Sequence, residues 1–137
     1  MRAKILIVDD ESAIRQMVCL ALSQSSYDCI EAADTAEAQA KILADMPDLI
    51  LLDWMLPGLS GVEYSRRLRR EKLTRDIPVI MLTAKAVITH TPKGFFYGLY
   101  GYLSKPFSQK DLLTMVTNIL EMTGKPSPPG ASRHTAQ

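Results

Sequence analysis

Cysteine is scarce in this 137-residue chain: only Cys19 and Cys29 occur, in the apolar contexts Met17-Val18-Cys19-Leu20 and Asp28-Cys29-Ile30. Two such residues make neither a disulfide framework nor a metal pair. They are expected to be buried free thiols of a reducing cytoplasm. Long apolar runs are missing as well. Nothing approaches the roughly 20 residues that span a bilayer, and the amino terminus lacks a signal-peptide pattern, so a cytoplasmic chain with no membrane partner is expected. An excess of charge of one sign is also lacking. Sixteen Lys and Arg face fifteen Asp and Glu, a net charge of +1, which gives no bulk attraction to nucleic acid or to a membrane surface. There is no internal repeat.

What is present fits one domain able to bury a real core, with 47% hydrophobic and 23% charged residues. Strands and helices alternate. Lys4–Val8 reads as a strand, followed by a helix from Ser12, its expected N-cap, to Gln24, with Ile14, Met17, Val18 and Ala21 facing the core. Tyr27–Glu31 reads as a second strand. A helix from Asp34 or Thr35 to Ala44 follows, with Ala36, Ala40 and Leu43 inward, and Pro47 ends it. Asp48–Leu52 is the third strand. Pro57-Gly58 marks a turn, and Ser60 caps a helix to Lys72. Ile77–Leu82, Tyr100–Leu103 and a helix from Ser108 to Met122 complete the pattern. Such alternation implies βαβ units around one mostly parallel sheet. From Gly124 the composition, Gly-Lys-Pro-Ser-Pro-Pro-Gly-Ala-Ser, reads as a flexible linker or tail, so residues 1–123 are expected to form the domain and 124–137 the tail.

Three carboxylates stand at the ends of two apolar strands. Ile5-Leu6-Ile7-Val8 runs into Asp9-Asp10, and Leu49-Ile50-Leu51-Leu52 runs into Asp53. Four consecutive aliphatics mark a strand buried on both faces, and the carboxyl edge of such a sheet is where open α/β folds bind ligands. Helix or turn capping explains any one of these acids, but not why all three follow the only two such runs in the first half. Together they would repel one another unless a cation sits among them, which points to a divalent-metal site. Thr83 follows a fourth strand and Lys105 lies just beyond a fifth. Acids, a hydroxyl and an ammonium on one edge suit phosphoryl transfer, and a carboxylate can itself be the nucleophile. Asp53 is the candidate, because it stands alone on a central strand while Asp9 and Asp10 pair for the metal.

Asp9-Asp10, the Leu52-Asp53-Trp54-Met55-Leu56-Pro57-Gly58 stretch, Met81-Leu82-Thr83-Ala84 and Lys105-Pro106-Phe107 resemble the receiver domain of two-component response regulators. The resemblance covers residues 1–122 and is nearest to the phosphate-regulon type, whose effectors are winged-helix DNA-binding domains. It implies a doubly wound, flavodoxin-like α/β fold with five parallel strands in the order 2-1-3-4-5. It implies Asp53 as phosphoacceptor from a sensor histidine kinase, in a switch that catalyses only its own phosphorylation and dephosphorylation. It further implies Mg²⁺ held by Asp10, Asp53 and the Met55 backbone carbonyl, with Asp9 acting through water. Thr83 and Lys105 would contact the phosphoryl group, Thr83 and Tyr102 would carry the switch, and the Lys105–Pro106 bond would be cis. The chain would be the regulatory part of a transcriptional regulator without itself binding nucleic acid.

The stretch between Thr83 and Lys105 departs from that pattern. No Asp or Glu occurs between Asp76 and Asp111. Pro92 costs a helix that spans it roughly 3 kcal/mol, and Gly94, Gly98 and Gly101 about 1 kcal/mol each. The fourth helix, within 86–101, is expected to be short or irregular. Thr91, Tyr97, Gly101, Met115, Thr117 and Met122 are uncharged where the resembled subfamily pairs charges to dimerise, so a homodimer through the fourth helix, fifth strand and fifth helix is expected to be weakened. Phe95, Phe96, Tyr97, Leu99 and Tyr100 cannot all face inward, which leaves open a partner surface or a core beneath a shortened helix. His90 reads as a solvent-facing loop residue. The alternative function is an interaction module whose 86–101 surface binds a partner irrespective of phosphate. A flavin binder is disfavoured because Asp9-Asp10-Glu11 would repel phosphate without metal. An aspartate-nucleophile phosphatase is disfavoured because Met55 stands where a second acid is needed.

Overall fold

A computed structural model describes residues 2–84 and 99–124. Five strands, β1 (Lys4–Val8), β2 (Asp28–Ala32), β3 (Leu49–Asp53), β4 (Val79–Ala84) and β5 (Gly101–Lys105), form one sheet in the order β2-β1-β3-β4-β5, with every pairing parallel. The described helices are α1 (Ser12–Gln24), α2 (Thr35–Ala44), α3 (Gly61–Arg70) and α4 (Gln109–Met122), the last being the expected fifth helix. The parallel sheet expected from the alternation, and the doubly wound fold with strand order 2-1-3-4-5 implied by the resemblance, are the ones observed.

Strand periodicity divides the core in two. Ile5, Ile7, Leu49, Leu51, Ile80, Leu82 and Leu103 pack with residues of α1 and α4. Leu6, Val8, Ile50, Leu52, Val79 and Met81 pack with residues of α2 and α3. Each fully buried aliphatic side chain contributes about 1.5–3 kcal/mol. Register then fixes the site. Val8 lies opposite Leu52, so Asp9 and Asp53 leave the sheet at one height. Asp53 lies opposite Leu82, and Thr83 and Ala84 lie opposite Ser104 and Lys105.

Several local expectations change. Glu11, not Ser12, occupies the N-cap of α1, and it makes no side-chain cap. In α2 the buried residues are Ala38 and Ile42, while Ala36, Ala40 and Leu43 are exposed. A run so rich in alanine fits several helical phases equally, and only the choice between Ile42 and Leu43 distinguishes them. Ser60 does cap α3, accepting from the Glu63 N–H, but the helix ends at Arg70.

The two cysteines are not free thiols. Cys19 on α1 and Cys29 on β2 are disulfide-bonded, with Cα atoms 5.3 Å apart. The helix folds back on the edge strand that follows it, which brings residues ten apart in sequence within disulfide reach. Both are only partly buried.

The expectations for the fourth helix, His90, Pro92 and Phe95–Tyr97 lie outside the described residues, as does that for a tail beyond Gly124. Leu99 packs partly against the α2–α3 side of the core. Tyr100 and Tyr102 are 42% and 43% exposed. Thr117 turns its hydroxyl to Tyr27, with the two oxygens 2.7 Å apart, and Met115 packs against Gly101.

Candidate functional site: an acidic pocket at the carboxyl edge

Asp9 follows β1, where the sheet has just buried four aliphatics, and its residue is fully buried. A carboxylate there needs partners. Oδ1 accepts from the Glu11 N–H at 2.9 Å, and Oδ2 accepts from Lys105 Nζ at 2.8 Å. Asp53 ends β3, is 5% exposed, and accepts at Oδ1 from the Met55 N–H at 3.3 Å. Lys105 Nζ lies 3.3 Å from the same oxygen and 3.7 Å from Glu11 Oε1. Asp10 is exposed, and carboxylate oxygens of Asp9, Asp10 and Asp53 lie within 4.8 Å of one another.

The charges in this pocket are poorly balanced. Burial, and after it the charge of Asp9, pushes the Asp53 carboxyl above its ordinary range despite the opposing pull of Lys105. Burial alone would lower Lys105, but its hydrogen bond to Asp9 and the charges of Asp53 and Asp9 outweigh that and raise it. Among the described residues, the buried Asp9 and Asp53 and the exposed Asp10 and Glu11 gather around one ammonium, and the three aspartates make a donor set of hard oxygens that fits a divalent cation such as Mg²⁺ or Ca²⁺. Thr83 carries a complementary signal. It is 2% exposed, and among the described residues its Oγ1 has no hydrogen-bond partner. A buried hydroxyl left unpaired costs about 1–3 kcal/mol, which a ligand accepting its proton would recover.

The structure thus brings Asp9, Asp10, Asp53 and Lys105 together, with Thr83 held at the same edge by register. Met55 supplies its N–H to Asp53, and its side chain points to solvent. Tyr102 lies on β5 opposite Met81, before the site rather than in it. The Lys105–Pro106 peptide bond is cis.

Two supporting residues escaped the sequence reading. A Cβ on Gly61 would lie 2.1 Å from the Asp53 carbonyl oxygen, so only glycine lets α3 start against the β3 end. Glycine immediately after the Ser60 cap, a poor choice for helix stability, was the available signal. Arg15 donates from Nη1 to the Asp9 carbonyl oxygen at 2.7 Å and from Nε to Glu31 at 3.0 Å. Nothing local marks that role.

Residues 5–117 match the response regulator receiver domain family. The chain belongs to that family. It is 51% identical over 120 residues to the phosphate regulon transcriptional regulatory protein PhoB of Pseudomonas aeruginosa, covering 88% of this chain and 52% of that protein. PhoB of Escherichia coli is 44% identical over the same length, with the same coverage. The chain therefore spans about half the length of these curated relatives. Among solved structures, a putative response regulator from Chloroflexus aurantiacus superposes with a TM-score of 0.81 at 36% identity, covering 88% of this chain and 99% of that one. Receiver domains act as phosphoacceptor switches and bind Mg²⁺ at an acidic pocket as general properties of the family. Among the described residues no helix is long and apolar enough to cross a membrane.

Proposed function

We propose that this receiver accepts a phosphoryl group on Asp53 from the phosphohistidine of a sensor histidine kinase. The observation that carries the reading is the placement of Lys105 Nζ between Asp9 and Asp53, at 2.8 and 3.3 Å, at the same sheet edge as the buried hydroxyl of Thr83, unpaired among the described residues. An Asp53 carboxylate oxygen attacks phosphorus, the P–N bond breaks, and the donor imidazole keeps that electron pair. Lys105 pairs with one new phosphoryl oxygen and Thr83 donates its hydroxyl proton to another, which satisfies both groups more fully. Asp10, Asp53 and the Met55 carbonyl would hold Mg²⁺, with Asp9 supporting it, and the ion would supply charge neutralisation.

The same reading assigns residues 1–123 to the receiver unit and 124–137 to a linker or tail. It makes the chain the regulatory part of a cytoplasmic transcriptional regulator that does not itself contact nucleic acid. Tyr102 couples the site to output with Thr83. A homodimer through the face of the expected fourth helix, β5 and α4 is weakened, because Thr117 is engaged by Tyr27 and Met115 lies against Gly101 where charge would be needed.

Acetyl phosphate with Mg²⁺ is expected to add one phosphoryl mass to the intact protein, and Asp53→Asn to abolish the addition. Unchanged mass in wild type would overturn the assignment. Trp54, adjacent to Asp53, is expected to report Mg²⁺ binding by fluorescence.

A further inference from the structure

Helix α1 and strand β2 are joined by two adjacent links. One is the Cys19–Cys29 disulfide. The other is the ion pair of Arg15 with Glu31, 3.0 Å from Nε to Oε1. Arg15 precedes Cys19 by one helical turn, and Glu31 follows Cys29 by two strand residues, so both links stand on matching faces. Arg15 has the second contact already described, from Nη1 to the Asp9 carbonyl oxygen. A single side chain therefore separates the sulfur link from the acidic pocket. Both cysteines pack against the core and keep part of their surface exposed.

We propose that Cys19 and Cys29 form a reversible thiol–disulfide site, coupled through Arg15 to the pocket that holds Asp9 and Asp53. The inference rests on the cytoplasmic, metal-binding reading above: in a reducing compartment a protein disulfide is typically transient and redox-sensing. The oxidant is a low-molecular-weight disulfide. One cysteine thiolate attacks it and expels a small thiolate, giving a mixed disulfide. The second cysteine thiolate then attacks the protein sulfur of that bond and expels the other small thiolate. Two protein thiols are oxidised, one small disulfide is reduced to two thiols, and the protons pass to those products.

Oxidation pins the middle of α1 to β2 and holds Arg15 over the Asp9 carbonyl. Reduction removes the covalent link and leaves the position of Arg15 to the apolar packing of α1 and to the partly exposed ion pair, itself a weak restraint. Coupling is reciprocal. The factor by which oxidation changes Mg²⁺ affinity is the factor by which Mg²⁺ changes the disulfide equilibrium.

The test equilibrates the full chain in glutathione buffers of graded poise, traps thiols by alkylation and reads intact mass. A reversible two-thiol transition is expected in wild type and none in Cys19→Ser/Cys29→Ser. Thermal unfolding of the oxidised form is expected on the order of 5 °C higher. Trp54 fluorescence titrations are expected to give Mg²⁺ affinities that differ roughly fivefold between the two forms, the low end of typical coupling. Arg15→Gln is expected to keep the transition and lose the difference. Absence of the transition at every poise overturns the proposal, as do equal Mg²⁺ affinities of the two forms. If Trp54 ignores Mg²⁺ in both forms, the metal reading fails instead, and metal-free amide NMR decides the coupling. Shifts of the Asp10 and Glu11 amides that differ between forms uphold it; coincident shifts overturn it.

Discussion

Thr83 and Gly61 show how one atom, present or absent, sets the pocket. Among the described residues the buried Thr83 hydroxyl oxygen is unpaired, so its ground state is less stable than that of a β-branched apolar residue of the same shape. Thr83→Val is expected to raise unfolding free energy by about 1 kcal/mol in urea titrations. The same variant is expected to slow Asp53 phosphorylation by acetyl phosphate at least tenfold, roughly the 1.4 kcal/mol of one lost transition-state hydrogen bond. Faster or unchanged phosphorylation would show that Thr83 is merely a packing residue. Gly61→Ala drives a Cβ into the Asp53 carbonyl, a contact with backbone that no rotamer change relieves. It is expected to destabilise by about 2 kcal/mol or more and to impair phosphorylation, read by urea unfolding and intact mass. The strand-end residues Asp9, Asp10, Asp53, Thr83 and Lys105 were legible because each interrupts or follows an apolar run. Arg15 and Gly61 were not, since their roles arise from an approach between elements that no local pattern encodes.

Among the elements, those with four consecutive aliphatics could be read almost to the residue, because burial on both faces leaves no alternative phase. Helix α2 could not: Ala38 and Ile42 face inward, while the expected Ala36, Ala40 and Leu43 all face solvent. The pairing of Cys19 with Cys29 was hidden for a related reason: it depends on how tightly α1 returns over edge strand β2, which sequence spacing leaves open. Helix α3 offers a direct check on packing between helices. Tyr64 is buried, with its hydroxyl donating to Gln39 Oε1 on α2 at 3.1 Å. Burial, and secondarily Glu71, pushes its phenol up to about 12, against the opposing charge of Arg67. A neutral phenol is thus favoured in the folded state. The stability this confers is full below the unfolded value of 10.0 and is lost as pH rises through about 12. Absorbance at alkaline pH is expected to show one tyrosine titrating late, and Tyr64→Phe to remove it. The variant is expected to lose less stability than wild type between those pH values, by roughly 2 kcal/mol.

For the molecule as a whole, the pocket sets local electrostatics against global stability. Asp53 is held above the ordinary carboxyl range mainly by burial, then by the charge of Asp9. As pH rises past the unfolded value of 3.8, the unfolded chain releases this proton before the folded one does. Metal-free stability therefore falls with pH through that window and levels off above the folded value. Other carboxylates obscure the trend in wild type alone, so the difference from Asp53→Asn isolates it. Wild type minus variant is expected to decline as pH rises from 3.8 toward neutrality, with the variant the more stable near pH 7 in the presence of a chelator. Mg²⁺ reverses the order, because a cation that binds only the folded state adds RT ln(1 + [Mg²⁺]/Kd), about 2.7 kcal/mol at a hundredfold excess over Kd, and the variant lacks one of its ligands. Urea unfolding of both proteins across pH, with chelator and with saturating Mg²⁺, measures all four quantities. If wild type is the more stable in chelator at neutral pH, the carboxylates are balanced without a cation, and the electrostatic case for a metal at this edge of the sheet fails.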